Sequence, residues 1–329
     1  MPSEFTVSLD RKEGFESRGH EIGGSVLRGK PVFREGQTGV ADSMEALLKE
    51  GLVPAPTYRL IGGRAFAGED EPAWQQYHDT LAERITAFDP KGILGKNGAT
   101  YVLDIQNGGL FVRNHPRIRD AVNNGQLVNR ALQLSQEEVN AVLDAIKKKD
   151  YAALKQIVQG ENFVFSGNYG EFKEESSKPN FLDGMSSTYL VIRNADEARK
   201  VPSGYQPIDS QRDNPDLIIA SGGKAPNEKM LDRAKEFKWK EFGSHHDGYQ
   251  TKNGGRVVGL DGQHYGLWGS IGLDDLGLFV GVAPEARDAF YKGSSTDPLT
   301  AKVLAATRGN PVPHHEGVLI YVPNVALKQ

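Results

Sequence analysis

The 329-residue chain has no cysteine. That excludes disulfide staples, thiolate nucleophiles and cysteine-ligated zinc. It has no excess of positive charge either. Lys and Arg number 39 against 43 Asp and Glu, a net charge of −4, whereas phosphate neutralisation needs a basic face. No nucleic-acid partner is expected. No stretch approaches the roughly 18 apolar residues of a membrane span, and the opening MPSEFTVSLDRKEGFESR has no apolar core to serve as a secretory signal. The expectation is therefore a soluble protein without membrane association, placed by default in the cytoplasm or in a particle assembled there. Familiar catalytic signatures are missing as well. There is no G-x-S-x-G, no G-x-G-x-x-G after a strand, and Ser221-Gly222-Gly223-Lys224 lacks the spacing of a P-loop.

What the chain does have is glycine, 38 residues of it, and a stretch that occurs twice. Residues 109–125 read GLFVRNHPRIRDAVNNG and residues 277–293 read GLFVGVAPEARDAFYKG, identical at 9 of 17 positions. Each reads as a short apolar strand, a proline-started helical turn and a terminating glycine. A second echo supports the first: LIGGRA at 60–65 and SGGKA at 221–225 both place Gly-Gly and a basic residue before a helix. The fold expected is α/β or α+β, built from two related modules made by tandem duplication. The boundaries are an N-terminal arm at 1–40, a first module at 41–166, a linker or surface loop at 167–186, and a second module at 187–329.

Local patterns fill in the elements. Ser135 and Glu138 have capping-box spacing and open a helix to about Lys149, with another from Asp150 to Val158. Trp74, Tyr77, Leu81, Ile85 and Phe88 recur at helical spacing, which predicts an amphipathic helix from Pro72. Tyr101–Ile105, Phe163–Phe165, Thr188–Ile192, Asp216–Ala220 and Arg256–Leu260 read as strands.

Candidate chemistry concentrates late in the chain. Five of the eight histidines lie between 245 and 315. His245, Asp247, His314 and His315 have the composition of a two-histidine, one-carboxylate site for Zn, Fe or Mn. His246, His264 and Glu316 would then supply general acid and base, which makes a metal-assisted, hydrolase-like enzyme the first functional expectation. The alternative is a structural or recognition protein, a virion or surface assembly component made of two duplicated modules and capable of self-association.

Overall fold

The computed structural model describes residues 30–282, except 66, 161, 179–180, 183–186, 263–265 and 275–276, together with four short strands before residue 30. Those four form two small pairs: β1 (Ser8–Leu9) with β2 (Phe15–Glu16), and β3 (His20–Ile22) with β4 (Ser25–Leu27). The chain then runs through β5 (Lys30–Arg34), α1 (Gly39–Lys49), β6 (Val53–Pro54), α2 (Thr57–Arg64), α3 (Pro72–Gln75), β7 (His78–Asp89) and β8 (Ala99–Gln106). Next come α4 (His115–Asn123), β9 (Leu132–Gln133), α5 (Gln136–Lys148), α6 (Tyr151–Ile157), β10 (Asn162–Asn168), α7 (Tyr169–Glu175), β11 (Ser187–Asn194) and α8 (Ala195–Ala198). The last described elements are β12 (Gly204–Pro207), α9 (Ile208–Gln211), α10 (Pro215–Ser221), α11 (Lys224–Glu236), β13 (Glu241–His245), β14 (Gly254–Asp261), β15 (Gly266–Ile271) and β16 (Gly277–Val282).

Twelve of these strands form one mixed sheet with the central order β10-β11-β8-β7-β14-β15-β13-β12, and β16 joins β5, β6 and β7 beside that path. The fold is α+β, as composition and pattern implied. Side chains alternate across the sheet, so each strand feeds two cores. Leu81 and Ile85 of β7, Leu103 and Ile105 of β8, and Leu190 and Ile192 of β11 share a core with α1, α4, α5 and α6. On the other face Ala82, Phe242, Leu260 and Leu267 pack against α2, α10 and α11. Tyr189 and Val191 meet Phe165, Phe172 and the α10 residues Ile218 and Ile219 in an adjoining cluster.

Burial on both faces explains the largest departure from the sequence expectation. The predicted helix from Pro72 is one helical turn, α3, followed by the twelve-residue central strand β7. Nearly every residue of β7 is buried, and its Glu83 and Arg84 lie inside the protein, so the apolar alternation that marks a half-exposed strand is absent. The accidental spacing from Trp74 to Phe88 then imitates a helix. The reverse error occurs at Asp216–Ala220. Asn214 caps this stretch by accepting the Asp216 N–H at 2.9 Å, Pro215 occupies the first turn, and the segment is the helix α10 rather than a strand.

The two GLFV copies do not share a structure, and an internal duplication is not shown. Residues 109–112 form a turn, whereas Gly277–Val282 is the strand β16. The Gly-Gly echo differs too: Gly62 and Gly63 lie within α2, while Gly222 and Gly223 are the left-handed hinge between α10 and α11. Residues 167–186, read as a linker or surface loop, hold α7, whose capping box joins Asn168 and Glu171 and whose Phe172 is fully buried. Strands from both sides of that segment alternate within the one sheet.

Candidate functional site

Four charges are buried where the central strands meet α10. Arg84 of β7 donates to Asp104 of β8 through Nε at 2.5 Å and approaches Asp216 of α10 at 3.3 Å. Arg193 of β11 donates to Asp104 at 2.7 Å and pairs with Asp216 at 2.6 Å. All four side chains are at most 5% exposed. Two guanidiniums and two carboxylates thus close a neutral ring in which each charge faces two of opposite sign. Burial alone raises the Asp216 carboxyl, but attraction to Arg84 and Arg193 outweighs it and holds the group at about 2. A carboxyl whose folded value is depressed contributes stability above its ordinary value of 3.8, and that contribution is lost as pH falls toward about 2.

The ring is roofed by the loop after β13. Gly248 and Tyr249 are both left-handed, with φ of 73° and 57°, and their bonds hold them there. Asp247 accepts the Tyr249 N–H at 2.8 Å, and Arg199 donates to the carbonyls of Gly248 and Tyr249 at 2.9 and 3.2 Å. The Tyr249 ring lies 5.8 Å from the Arg84 guanidinium and stacks on His246 at 4.8 Å. Beside the loop, at the end of the sheet nearest β12, His245 stacks on Trp268 at 4.3 Å and meets the edge of Tyr205 at 5.3 Å. Residues 199–205, 245–249 and Trp268 therefore form one polar and aromatic edge, with Tyr205 38% exposed.

This edge contains three of the residues that sequence selected. His246 has both ring nitrogens engaged: Nε2 lies 3.0 Å from the Val201 carbonyl and must donate, while Nδ1 accepts the Gly248 N–H at 3.0 Å. Asp247 has both oxygens engaged, one by Tyr249 and the other by Arg256 at 2.9 Å. His245 belongs to the aromatic stack. His264, His314, His315 and Glu316 lie outside the described residues. Among the described residues no group of three His, Asp or Glu side chains is arranged to hold a metal ion.

Sequence reasoning passed over the ion ring. Its signal was a charged residue inside or at the end of an apolar strand: Asp104 in Tyr101–Ile105 and Arg193 directly after Thr188–Ile192. It also passed over Glu83, on the other face of β7. The Glu83 carboxylate accepts the backbone N–H groups of Leu110 and Phe111 at 2.7 and 2.8 Å and that of Val112. Burial pushes this carboxyl up to about 8; the three backbone donors and the more distant Arg117 offset only part of that shift. A parallel contact holds the other GLFV copy, for Asp79 of β7 accepts the Leu278 N–H at 2.9 Å. The repeated glycine-leucine pair thus hangs twice on a buried carboxyl of one strand, in two different backbone conformations.

Comparison with known proteins bears on the fold alone. A solved structure, reported as an accommodation of massive sequence variation in Nanoarchaeota by the C-type lectin fold, aligns with 77% of this chain and 97% of its own. The TM-score is 0.53 and the sequence identity 16%. The present chain is thus similar to a C-type lectin fold. No protein-family model matches the sequence, and no curated protein matches it. Among the described residues no helix is long and apolar enough to cross a membrane.

Proposed function

We propose that the protein is a recognition component, a binding module that does no catalysis, and that its contact face is the edge formed by 199–205, 245–249 and Trp268. The observation that carries this reading is the likeness to a C-type lectin fold over nearly the whole length of the neighbour. That neighbour is described as accommodating massive sequence variation. Such tolerance needs a frame whose integrity does not depend on its surface, and the buried ion ring and two-sided core supply a frame of that kind. The edge suits contact: Tyr205, His245 and Trp268 offer flat rings with polar rims, the composition enriched where proteins meet ligands. The engagement of His246 and Asp247 by backbone and Arg256 supports a scaffold role for the loop over a metal-centred one.

The reading is tested by replacing Tyr205, which is exposed and whose loss leaves the core intact. Wild type and Tyr205→Ala are compared on a panel of immobilised glycans, peptides and whole-cell surfaces. Retained melting temperature with binding weakened at least about tenfold, roughly 1.4 kcal/mol, is expected. Binding to members of the panel that Tyr205→Ala leaves unchanged places the contact face elsewhere.

A further inference from the structure

We propose that the groove between α4 and β9 is a docking site for an extended peptide segment that carries a basic side chain. The groove shares no residue with the β12 edge, so its occupancy and that of the edge are tested separately. It encloses a cavity of about 590 Å³, inside the range of about 300–1,000 Å³ typical of ligand sites. Its origin is local. Gly125 is left-handed, with φ of 62°, and turns the chain back at the end of α4, where Gln126 donates its N–H to the Ala121 carbonyl at 2.8 Å. Ala121 and Leu132 are both buried and give the groove an apolar floor. Arg117 and Asp120 line it from α4, and Gln126 and Gln133 add their amide side chains.

Two features of the groove select its occupant. The first is charge. Arg117 is committed to Glu138 through both terminal nitrogens, at 2.6 and 3.1 Å. Asp120 is exposed, and its carboxylate has no partner among the described residues. The α4 wall thus presents one uncompensated negative charge, which a Lys or Arg side chain complements. The second is an open strand edge. Among the described residues β9 pairs with β14 alone. Leu134 donates its N–H to the Asn253 carbonyl at 2.8 Å, and Gln133 stands opposite Gly254. In an antiparallel ladder that arrangement makes Gln133 and Gly254 a non-hydrogen-bonded pair, so the Gln133 N–H and C=O point away from β14. An extended segment supplies the main-chain partners that this edge lacks, and the glutamine amides can both donate to it and accept from it. Three such residues span about 10 Å. No aromatic ring lines the groove, so it offers no platform on which a nucleobase or a sugar ring could stack.

The experiment is a titration of the isotope-labelled full chain, read by its backbone amide resonances, with acetyl-Val-Lys-Val-amide, acetyl-Val-Glu-Val-amide and maltose. The lysine peptide is expected to shift the amides of Asp120, Ala121, Gln126 and Gln133 and to bind about fivefold more tightly than the glutamate peptide. In Asp120→Lys, a substitution at an exposed position, that order of preference is expected to reverse. The lysine peptide with all its peptide N–H groups methylated is expected to lose binding to the wild type, because it has no N–H to give to the Gln133 carbonyl. Absence of shifts at these four positions up to about 10 mM peptide, or shifts from maltose alone, overturns the proposal. An order of preference that Asp120→Lys leaves unchanged, or full binding by the methylated peptide, overturns it equally. Should Asp120→Lys not fold, the lysine, glutamate and methylated peptides decide on the wild type.

Discussion

Replacing Asp104 with alanine is expected to cost about 3–5 kcal/mol, because it breaks the buried ring and leaves Arg84 and Arg193 facing a single carboxylate. Both guanidiniums bond Asp104, at 2.5 and 2.7 Å, and neither can reach water without disturbing the sheet. Against a total stability of roughly 5–15 kcal/mol for a typical domain, one substitution removes a large share. Denaturant unfolding of wild type and Asp104→Ala measures it. A surface pair provides the contrast. Asp42 bonds Arg119 at 2.7 Å but both are about a third exposed, so Asp42→Ala should cost at most about 1 kcal/mol. Similar costs for the two variants would mean that the ring is far more hydrated than its burial implies.

Gly109→Ala is expected to be nearly as damaging, by about 3 kcal/mol, for a different reason. The added methyl has no room beside the Glu83 carboxyl, and although that carboxyl is the end of a side chain, it is fully buried and held by three backbone N–H groups, so it has nowhere to withdraw. The turn must back away, and buried amides of Leu110, Phe111 and Val112 lose their acceptor, at about 1–3 kcal/mol for each left unsatisfied. Gly125→Ala is the control. Nothing lies within 4 Å of its added methyl, so only the left-handed φ of 62° opposes it, a cost of about 1 kcal/mol. Thermal unfolding of the two variants should therefore separate clearly, with Gly109→Ala the lower.

These residues also show where the sequence was legible. Ser135–Glu138 predicted a capping box that forms as read, with Ser135 accepting the Glu138 N–H at 3.2 Å. The strands at Tyr101–Ile105, Thr188–Ile192 and Arg256–Leu260 were visible because each is a short run rich in β-branched or aromatic residues. Strand β7 was not, because its polar residues are buried against partners far along the chain. Arg84 pairs with residues 20 and 132 positions away, and nothing local records such a pairing. The GLFV repeat was real as sequence but misleading as structure. Its leucine amides do meet buried carboxyls, Glu83 and Asp79, yet the first copy closes as a turn where the second extends as β16. At the candidate site, sequence singled out His245, His246 and Asp247. It read them as converging side chains, whereas the two left-handed residues that follow turn the loop back on itself and engage His246 and Asp247 within it.

The choice between recognition and metal-assisted catalysis is tested most directly by elemental analysis of the purified full chain, wild type and His245→Ala, after extensive dialysis. The account predicts no stoichiometric Zn, Fe or Mn in either protein, with His245→Ala altering only the aromatic edge it shares with Tyr205 and Trp268. About one metal ion per chain in the wild type, lost in His245→Ala, would contradict it and restore the metal-assisted enzyme.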